Sequence, residues 1–402
     1  MKASDIDPDL LPFYLKREAR AFDVHKESTW PPIKESVSAI CDEVIQYRKS
    51  LGHQIQHPNR LRRYLEKIIL DLLVACAEEE SPFVFLSLNK NSYKTGGRME
   101  RIFLGSYLTM KAAVDSLVAL GYVERKSGYY DTKKKTGHRT RIAATDKLIE
   151  SVPFDLEGVV FNWREDELVR LKHDGEYIDF ADTRYSKSVH RDVVRYNEMA
   201  EKTDIRLSGK PIINKYQHAV FHGPDMKSAV LGRMYGGVPQ NLKKDRRAEM
   251  TINGESVVNL DFQAHHIKLA YCLNGTPYDG DPYIIPGPWS RDDVKLAVNI
   301  MLNCEKRSTA VKAVGNKELV EVVEKAHPLL CEYGNLGLRL QREDSDLMRA
   351  ILNRLMDEGM YVTNLHDGLL CRESDAEHVA SWMKSEYFDR YQIIPNISTS
   401  VV

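Results

Sequence analysis

At 402 residues, with 57 Lys and Arg against 58 Asp and Glu and a formal net charge of -1, the chain has length for two or three domains and no global field to draw it to polyanions. Any affinity for nucleic acid must come from local clusters of charge. Six cysteines (Cys41, Cys76, Cys272, Cys304, Cys331, Cys371) lie scattered without a C-x-x-C pair, which argues against a zinc site or disulfide scaffold and for buried thiols in a reducing compartment.

No apolar run approaches the roughly 20 residues that cross a bilayer, and the start Met1-Lys2-Ala3-Ser4-Asp5 has no signal-peptide character. The expectation is a soluble, cytoplasmic protein with no membrane partner.

Residues 1–55 are charged and aromatic, with a turn at Pro31-Pro32 and then a helical pattern through Ile40, Val44 and Tyr47. Residues 60–77 repeat apolar side chains at helical spacing (Leu61, Leu65, Ile68, Ile69, Leu72, Leu73). A second such helix, 109–120, places Met110, Val114, Leu117 and Val118 inward and stops at Gly121. A strand (122–126), a turn-rich tip (128–137) and a returning strand (140–143) follow. Helix, Gly-Tyr, strand, basic tip and strand resemble a winged-helix DNA-binding domain over 56–150. Between residues 125 and 141, Arg125, Lys126, Lys133, Lys134, Lys135, Arg139 and Arg141 face one acid, Asp131, a patch suited to phosphates. Such a charge run is also readable as the solvated loop of a scaffold or dimerisation module.

Residues 151–195 are mixed and polar and predict a connector with short strands. Within it Asp155-Leu156-Glu157 has the D-x-E form that opens a proofreading exonuclease site, but too little chain separates it from Asp261 for an exonuclease domain. A helix follows through Val193, Val194, Asn197, Met199 and Ala200. The stretch 231–242 then holds three glycines, Gly232, Gly236 and Gly237, around Arg233 and Tyr235, and predicts a glycine-hinged loop. Lys243, Lys244, Arg246 and Arg247 come next, so a nucleic-acid backbone could lie here, although an ordinary surface loop would read the same way.

Three stretches carry chemistry. In the first, Val257-Val258-Asn259-Leu260 runs as an apolar strand into Asp261, and a helix predicted from near Gln263 through Leu273 closes at Asn274-Gly275. A lone aspartate there is more often a helix cap than a metal ligand. In the second, Ser290 is placed to cap a helix on which Arg291, Lys295, Asn299 and Asn303 recur every fourth residue and share a face, with Val294, Ala297, Val298 and Met301 opposite. Arg and Lys one turn apart suit a triphosphate; in isolation the stripe is equally a solvated face. In the third, a helix over 345–358 leads to a strand, the turn His366-Asp367-Gly368 and a second strand.

This order of acid-ended strand, Arg/Lys helix and His-Asp hairpin resembles the palm and fingers of family A nucleic acid polymerases and their relatives, the single-subunit RNA polymerases. Asp261-Phe262-Gln263-Ala264-His265-His266-Ile267-Lys268 is similar to motif A, Arg291 to Asn303 to motif B, and His366-Asp367 to motif C. Gly232-Arg233 with Gln240-Asn241-Leu242 is similar to the stretch that approaches the primer-template duplex, and Gln341 with Ser345-Asp346 to the helix entering motif C.

The resemblance implies an α+β chain with a right-hand polymerase palm and fingers over 196–402 beside the mostly helical winged-helix domain. It implies two Mg²⁺ (Mn²⁺ an acceptable substitute) on Asp261, Asp367 and the Phe262 backbone carbonyl. Lys295 would share in catalysis, Arg291 and Lys295 would grip the nucleotide phosphates, and His266, Asn299 and Asn303 would line the nucleotide. Arg233, Gln240, Lys243, Lys244, Arg246 and Arg247 would meet DNA, as would Lys133, Lys134, Lys135 and Arg139 of the wing. DNA template and primer and nucleoside triphosphates are the implied partners, with a helicase or single-strand-binding protein as the kind of replication partner.

The chain departs from the pattern where the sugar is selected: His266 stands where the DNA enzymes have glutamate and the RNA enzymes glycine, and Gly368 follows the motif C aspartate. The expected function is therefore a compact DNA polymerase or primase-polymerase of a phage, plasmid or other mobile element with relaxed sugar selection. A single-subunit-type RNA polymerase and a non-catalytic winged-helix replication initiator are the rivals.

Overall fold

Apolar side chains at helical and strand spacing build two separate cores. In the computed structural model, which describes residues 19–78, 83–93, 106–131, 136–163, 167–334 and 336–401, the chain divides into two compact units, Met1–Arg164 and Glu165–Val402.

In the first unit, helix α1 (Pro31–Ser50) opens on the two prolines, where a missing N–H costs nothing. Helix α2 (Pro58–Glu78) buries Leu61, Leu65, Ile68, Ile69, Leu72 and Leu73, and α3 (Tyr107–Ala119) buries Met110, Val114 and Leu117, as their spacing predicts. Strands β1 (Arg20–Ala21), β2 (Lys26–Ser28), β3 (Phe83–Leu86), β4 (Val123–Lys126), β5 (Tyr129–Asp131), β6 (Thr136–His138), β7 (Thr140–Ala144) and β8 (Val159–Phe161) complete it with a short helix α4 (Asp146–Ser151). One sheet runs β1-β3-β7-β4, while β5 pairs with β6 and β2 with β8. Asp71, wholly buried on α2, ties down residues 20–26: it accepts from Arg20 Nη2 at 2.6 Å and Lys26 Nζ at 2.7 Å.

The positive patch expected on the hairpin is partly neutralised. Arg125 is salt-bridged to Asp115 of α3, and the Arg139 guanidinium lies 5.2 Å from the Phe85 ring centroid. Lys133, Lys134 and Lys135 fall outside the described residues. Asp155 accepts from the Glu157 backbone N–H at 3.0 Å, so the D-x-E triplet is a local cap.

The stretch expected as a connector divides between the units. Its second half forms β9 (Val169–His173), β10 (Glu176–Ile178) and helix α5 (Arg184–Lys202) of the second unit. It is ordered because Val169 and Leu171 on β9 and Val189 and Val193 on α5 are buried, a signal that the surrounding polar residues obscure. Strands β11 (Ile205–Leu207), β12 (Lys210–Pro211), β13 (His218–His222) and β14 (Val230–Tyr235) follow, and β10-β9-β13-β14 form one sheet. Thus 230–235 is a strand where the glycines predicted a loop. Gly232, at φ 101°, lets the strand pass Phe221, whose Cε1 a Cβ would meet at 2.9 Å.

Beyond the break at Gly236 and Gly237 come short helices α6 (Val238–Asn241) and α7 (Lys244–Arg247), strands β15 (Met250–Ile252) and β16 (Glu255–Phe262), and helix α8 (His265–Leu273). Helices α9 (Arg291–Leu302), α10 (Arg307–Val314) and α11 (Lys317–Ala326) pack on α8 around Ile267, Val298 and Val320. Helix α12 (Leu336–Asp357) starts well before the expected 345, because Leu340 already lies on its buried face. Strands β17 (Thr363–Asn364) and β18 (Gly368–Arg372), helix α13 (Ala376–Tyr391) and strand β19 (Ile397–Val401) close the unit. The central sheet runs β12-β11-β15-β16-β18-β17, with β19 also on β16.

Candidate active site

Strand β16 carries Asp261 to the middle of this sheet. It lies between β18 and β19, with Asp261 opposite Gly368 on one side and Ser398 on the other. The Ser398 hydroxyl donates to the Asp261 backbone carbonyl at 3.2 Å. Asp367 is the last turn residue before β18, so an aspartate over a hundred residues away in sequence is brought next to the position opposite Asp261. The turn between β17 and β18 is closed by Leu365 N–H to the Gly368 carbonyl at 2.8 Å, with His366 in the left-handed region at φ 71°. A non-glycine residue is strained there and persists only where its surroundings over-determine it.

Those surroundings are a buried polar network. Gln217 Nε2 and Gln240 Nε2 each donate to the Asn364 carbonyl at 3.0 Å, and Asn364 Nδ2 donates to Gln217 Oε1 at 3.1 Å. Asn197 in turn brackets the Gln217 backbone, donating to its carbonyl at 2.9 Å and accepting from its N–H at 2.8 Å. Gln240, a nucleic-acid contact by resemblance, thus has its carboxamide on the chain's own backbone, at Asn364, Met234 and Gly236.

Electrostatics single out Asp261. Burial, then the negative charge of Asp367, push the Asp261 carboxyl up to about 6, against the pull of His265 and Lys295. Its Oδ1 is buried without a hydrogen-bond partner. A buried carboxylate oxygen left bare beside a second carboxylate is unfavourable unless a cation or proton completes it. Hard carboxylate oxygens suit Mg²⁺ or Mn²⁺, and these residues fit such ions. Among the described residues no group of three or more His, Cys, Asp and Glu is arranged for a metal. Phe262, whose carbonyl is the expected third oxygen, has its ring stacked on His265 at 4.9 Å.

Helix α9 is capped as its sequence predicts: Ser290 Oγ accepts from Asp293 N–H at 3.1 Å, and Asp293 reaches back to Ser290. Lys295 is exposed, and its charge acts on Asp261. Arg291 is engaged by Asp281 at 2.7 Å and lies over the Tyr283 ring. Asn299 is exposed, whereas Asn303 stands one residue past the end of the helix, its Nδ2 donating to the Asn299 carbonyl at 2.8 Å.

Arg233 is not a free cation. Its Nε and Nη2 both donate to Asp344 Oδ2, at 3.0 and 2.6 Å, and Nη2 also faces His266 Nε2 at 3.0 Å. Asp344 Oδ1 is 3.0 Å from His265 Nε2. Burial pushes the Asp344 carboxyl up, but His265 and Arg233 outweigh it and hold it below its usual range. Burial and then His265 push His266 down to about 4, so its ring is neutral at physiological pH. Of the basic run, Lys243 and Lys244 are exposed, Arg246 bonds Glu249 at 2.6 Å, and Arg247 bonds the Pro239 carbonyl at 3.3 Å.

Sequence reasoning missed Asp344, His265, Asn197 and Gln217. Asp344 did leave a signal, a charge on the apolar stripe Leu340, Leu347, Ile351 and Leu355 of α12. A charge on such a stripe is almost never buried unless paired.

No protein-family model matches the chain, and no curated protein matches it. Among solved structures it is similar to the POL domain of Pol1 from M. smegmatis, solved in complex with DNA primer-template and dNTP, at 10% sequence identity and a TM-score of 0.35. The match covers 95% of this chain and 66% of that one, so the chain spans about two thirds of that structure's length. A likeness this distant leaves the weight on the residues themselves.

Proposed function

We propose that the chain catalyses template-directed nucleotidyl transfer as a compact family A-like DNA polymerase or primase-polymerase, serving the replication of a phage, plasmid or mobile element. The observation that carries the reading is that Asp367, in the turn entering β18, acts on Asp261 at the end of the adjoining β16, with the buried Asp261 Oδ1 bare. Beside it stands a capped helix whose Lys295 charge reaches that carboxylate.

In this reading Asp261, Asp367 and the Phe262 carbonyl hold two divalent ions. The ions, when bound, activate the primer 3′-hydroxyl and offset charge on the leaving pyrophosphate. Lys295 and Arg291 bind the triphosphate, Arg291 exchanging Asp281 for phosphate, and Lys295 steadies the charge that develops there. His266, Asn299 and Asn303 line the sugar and base, with selection between ribose and deoxyribose relaxed because no acid stands at 266. The exposed Lys243 and Lys244 follow the DNA backbone, and the hairpin of the first unit supplies a second DNA contact, winged-helix in kind.

Primer extension with ribo- and deoxyribonucleotides, in Mg²⁺ and in Mn²⁺, tests the reading. Asp261→Asn/Asp367→Asn should abolish incorporation while sparing DNA binding. If the unaltered protein incorporates nothing but binds DNA, the non-catalytic initiator reading replaces this one; ribonucleotides alone, from a promoter, would favour an RNA polymerase.

A further inference from the structure

We propose that Asp344 is a positioning residue: through Arg233 it fixes the imidazole of His266 in a single tautomer, leaving Nδ1–H as the donor offered to an oxygen of a bound nucleotide. The identity of the ligand rests on the nucleotidyl-transfer reading; the tautomer does not.

A guanidinium has donors and no acceptor. Where Arg233 Nη2 faces His266 Nε2 at 3.0 Å, the ring nitrogen must therefore accept, and the proton of the neutral ring is on Nδ1. Arg233 is not at liberty to turn away, since its Nε and Nη2 are both bonded to Asp344 Oδ2. Asp344 is itself fixed from the other side, where Oδ1 meets His265 Nε2 at 3.0 Å. With 0% of Asp344 exposed, no water competes for its oxygens, and a buried carboxylate holds such partners firmly.

Burial first, and then the neighbouring His265 and Arg233, oppose a proton on His266, so the ring stays neutral. His266 Nδ1 has no partner among the described residues, and the ring is close enough to Asp367 to feel its charge. A carboxylate at this position would present acceptors alone, whereas the locked imidazole presents one N–H. A phosphate or sugar oxygen is what that N–H fits.

The test is long-range ¹⁵N–¹H correlation on full-length protein labelled at histidine, the His266 signals being assigned by their loss in His266→Gln. The expected result is an unprotonated Nε2 and a protonated Nδ1 at neutral pH in the unaltered protein, with mixed tautomers in Asp344→Asn and recovery in Asp344→Glu. Losing the ordered donor should raise the half-saturating nucleotide concentration on the order of tenfold, with a smaller effect on the maximal rate. A protonated Nε2 in the unaltered protein, or an unchanged tautomer in folded Asp344→Asn, overturns the proposal. Should Asp344→Asn fail to fold, Arg233→Gln reads the same link one residue nearer the ring. Absence of incorporation by the unaltered protein would overturn the functional reading and leave the tautomer result standing.

Discussion

Asp261 stands opposite Gly368, and a Cβ at 368 would lie 3.0 Å from the Leu260 carbonyl oxygen and 3.5 Å from Asp261 Oδ1. The tight approach is to the β16 backbone at Leu260, while the Asp261 carboxylate lies at ordinary contact distance. Gly368→Ala should lower stability by about 1–3 kcal/mol, as overpacking does, by pressing on the Leu260 carbonyl of β16 beside Asp261. Thermal unfolding alongside incorporation checks this: a melting midpoint like that of the unaltered protein would show that the strands part without cost.

The raised carboxyl of Asp261 gives a pH dependence of definite sign. The folded-state value of about 6 exceeds the ordinary 3.8, so the folded protein holds this proton more tightly than the unfolded chain does. Well below pH 3.8 both states are protonated and the residue contributes no difference. The penalty on the folded state grows as pH rises to about 6 and is constant above it. Asp261→Asn removes the penalty, and at pH 8 the variant should be more stable by on the order of 1–2 kcal/mol after discounting for solvent screening. The gain should vanish towards pH 4. Divalent cations need the ionised form, so their affinity should fall as pH drops below about 6. Urea unfolding of both proteins at pH 4 and pH 8, without metal, decides it, since equal stability at pH 8 would contradict the burial of an unpaired charge.

Much of this architecture could be read from periodicity, because the helices with unbroken apolar stripes, α1, α2, α3 and α9, lie where the spacing places them. The elements misread were those whose stripe is interrupted. Gly232 hid β14, although its small size is what lets the strand pass Phe221. The beginning of α12 was hidden by the glycines at 334 and 337. For the candidate site, residue type and order led to Asp261, Asp367 and Lys295, and in the structure Asp367 and Lys295 both act on the Asp261 carboxyl. Asp344, Gln217 and Asn197 were not legible, because a buried polar side chain acquires its meaning from partners distant in sequence.

Lys295 and Arg291 should separate kinetically although they lie one turn apart. Lys295 acts on Asp261, so Lys295→Ala should push the Asp261 carboxyl higher still and reduce incorporation by on the order of a hundredfold. Arg291 is engaged by Asp281 at 2.7 Å, and a phosphate must compete for it. Asp281→Ala should therefore lower the half-saturating nucleotide concentration, and Arg291→Ala should raise it. Steady-state kinetics on the three variants would reject the clamp if removing Asp281 weakened binding.

The turn bearing Asp367 should prove as stable as the amides beneath it. Gln217 Nε2 and Gln240 Nε2 share the Asn364 carbonyl at 3.0 Å each, and Gln217 also accepts from Asn364 Nδ2. Removing either leaves that carbonyl one partner; removing Gln217 also strands the buried Asn364 N–H₂, and removing Gln240 strands the Gly236 N–H and leaves the Met234 carbonyl without its amide donor. Both substitutions to alanine should destabilise by about 1–3 kcal/mol. Because the two amides meet on one oxygen, their effects should couple by more than about 0.5 kcal/mol in a double-mutant cycle. With His366 in the left-handed region at φ 71°, a loosened Asn364 lets the turn relax and carries Asp367 away from Asp261. Incorporation should thus fall further in each variant than its loss of folded protein explains, and a fall matching the folded fraction would reduce the network to a scaffold.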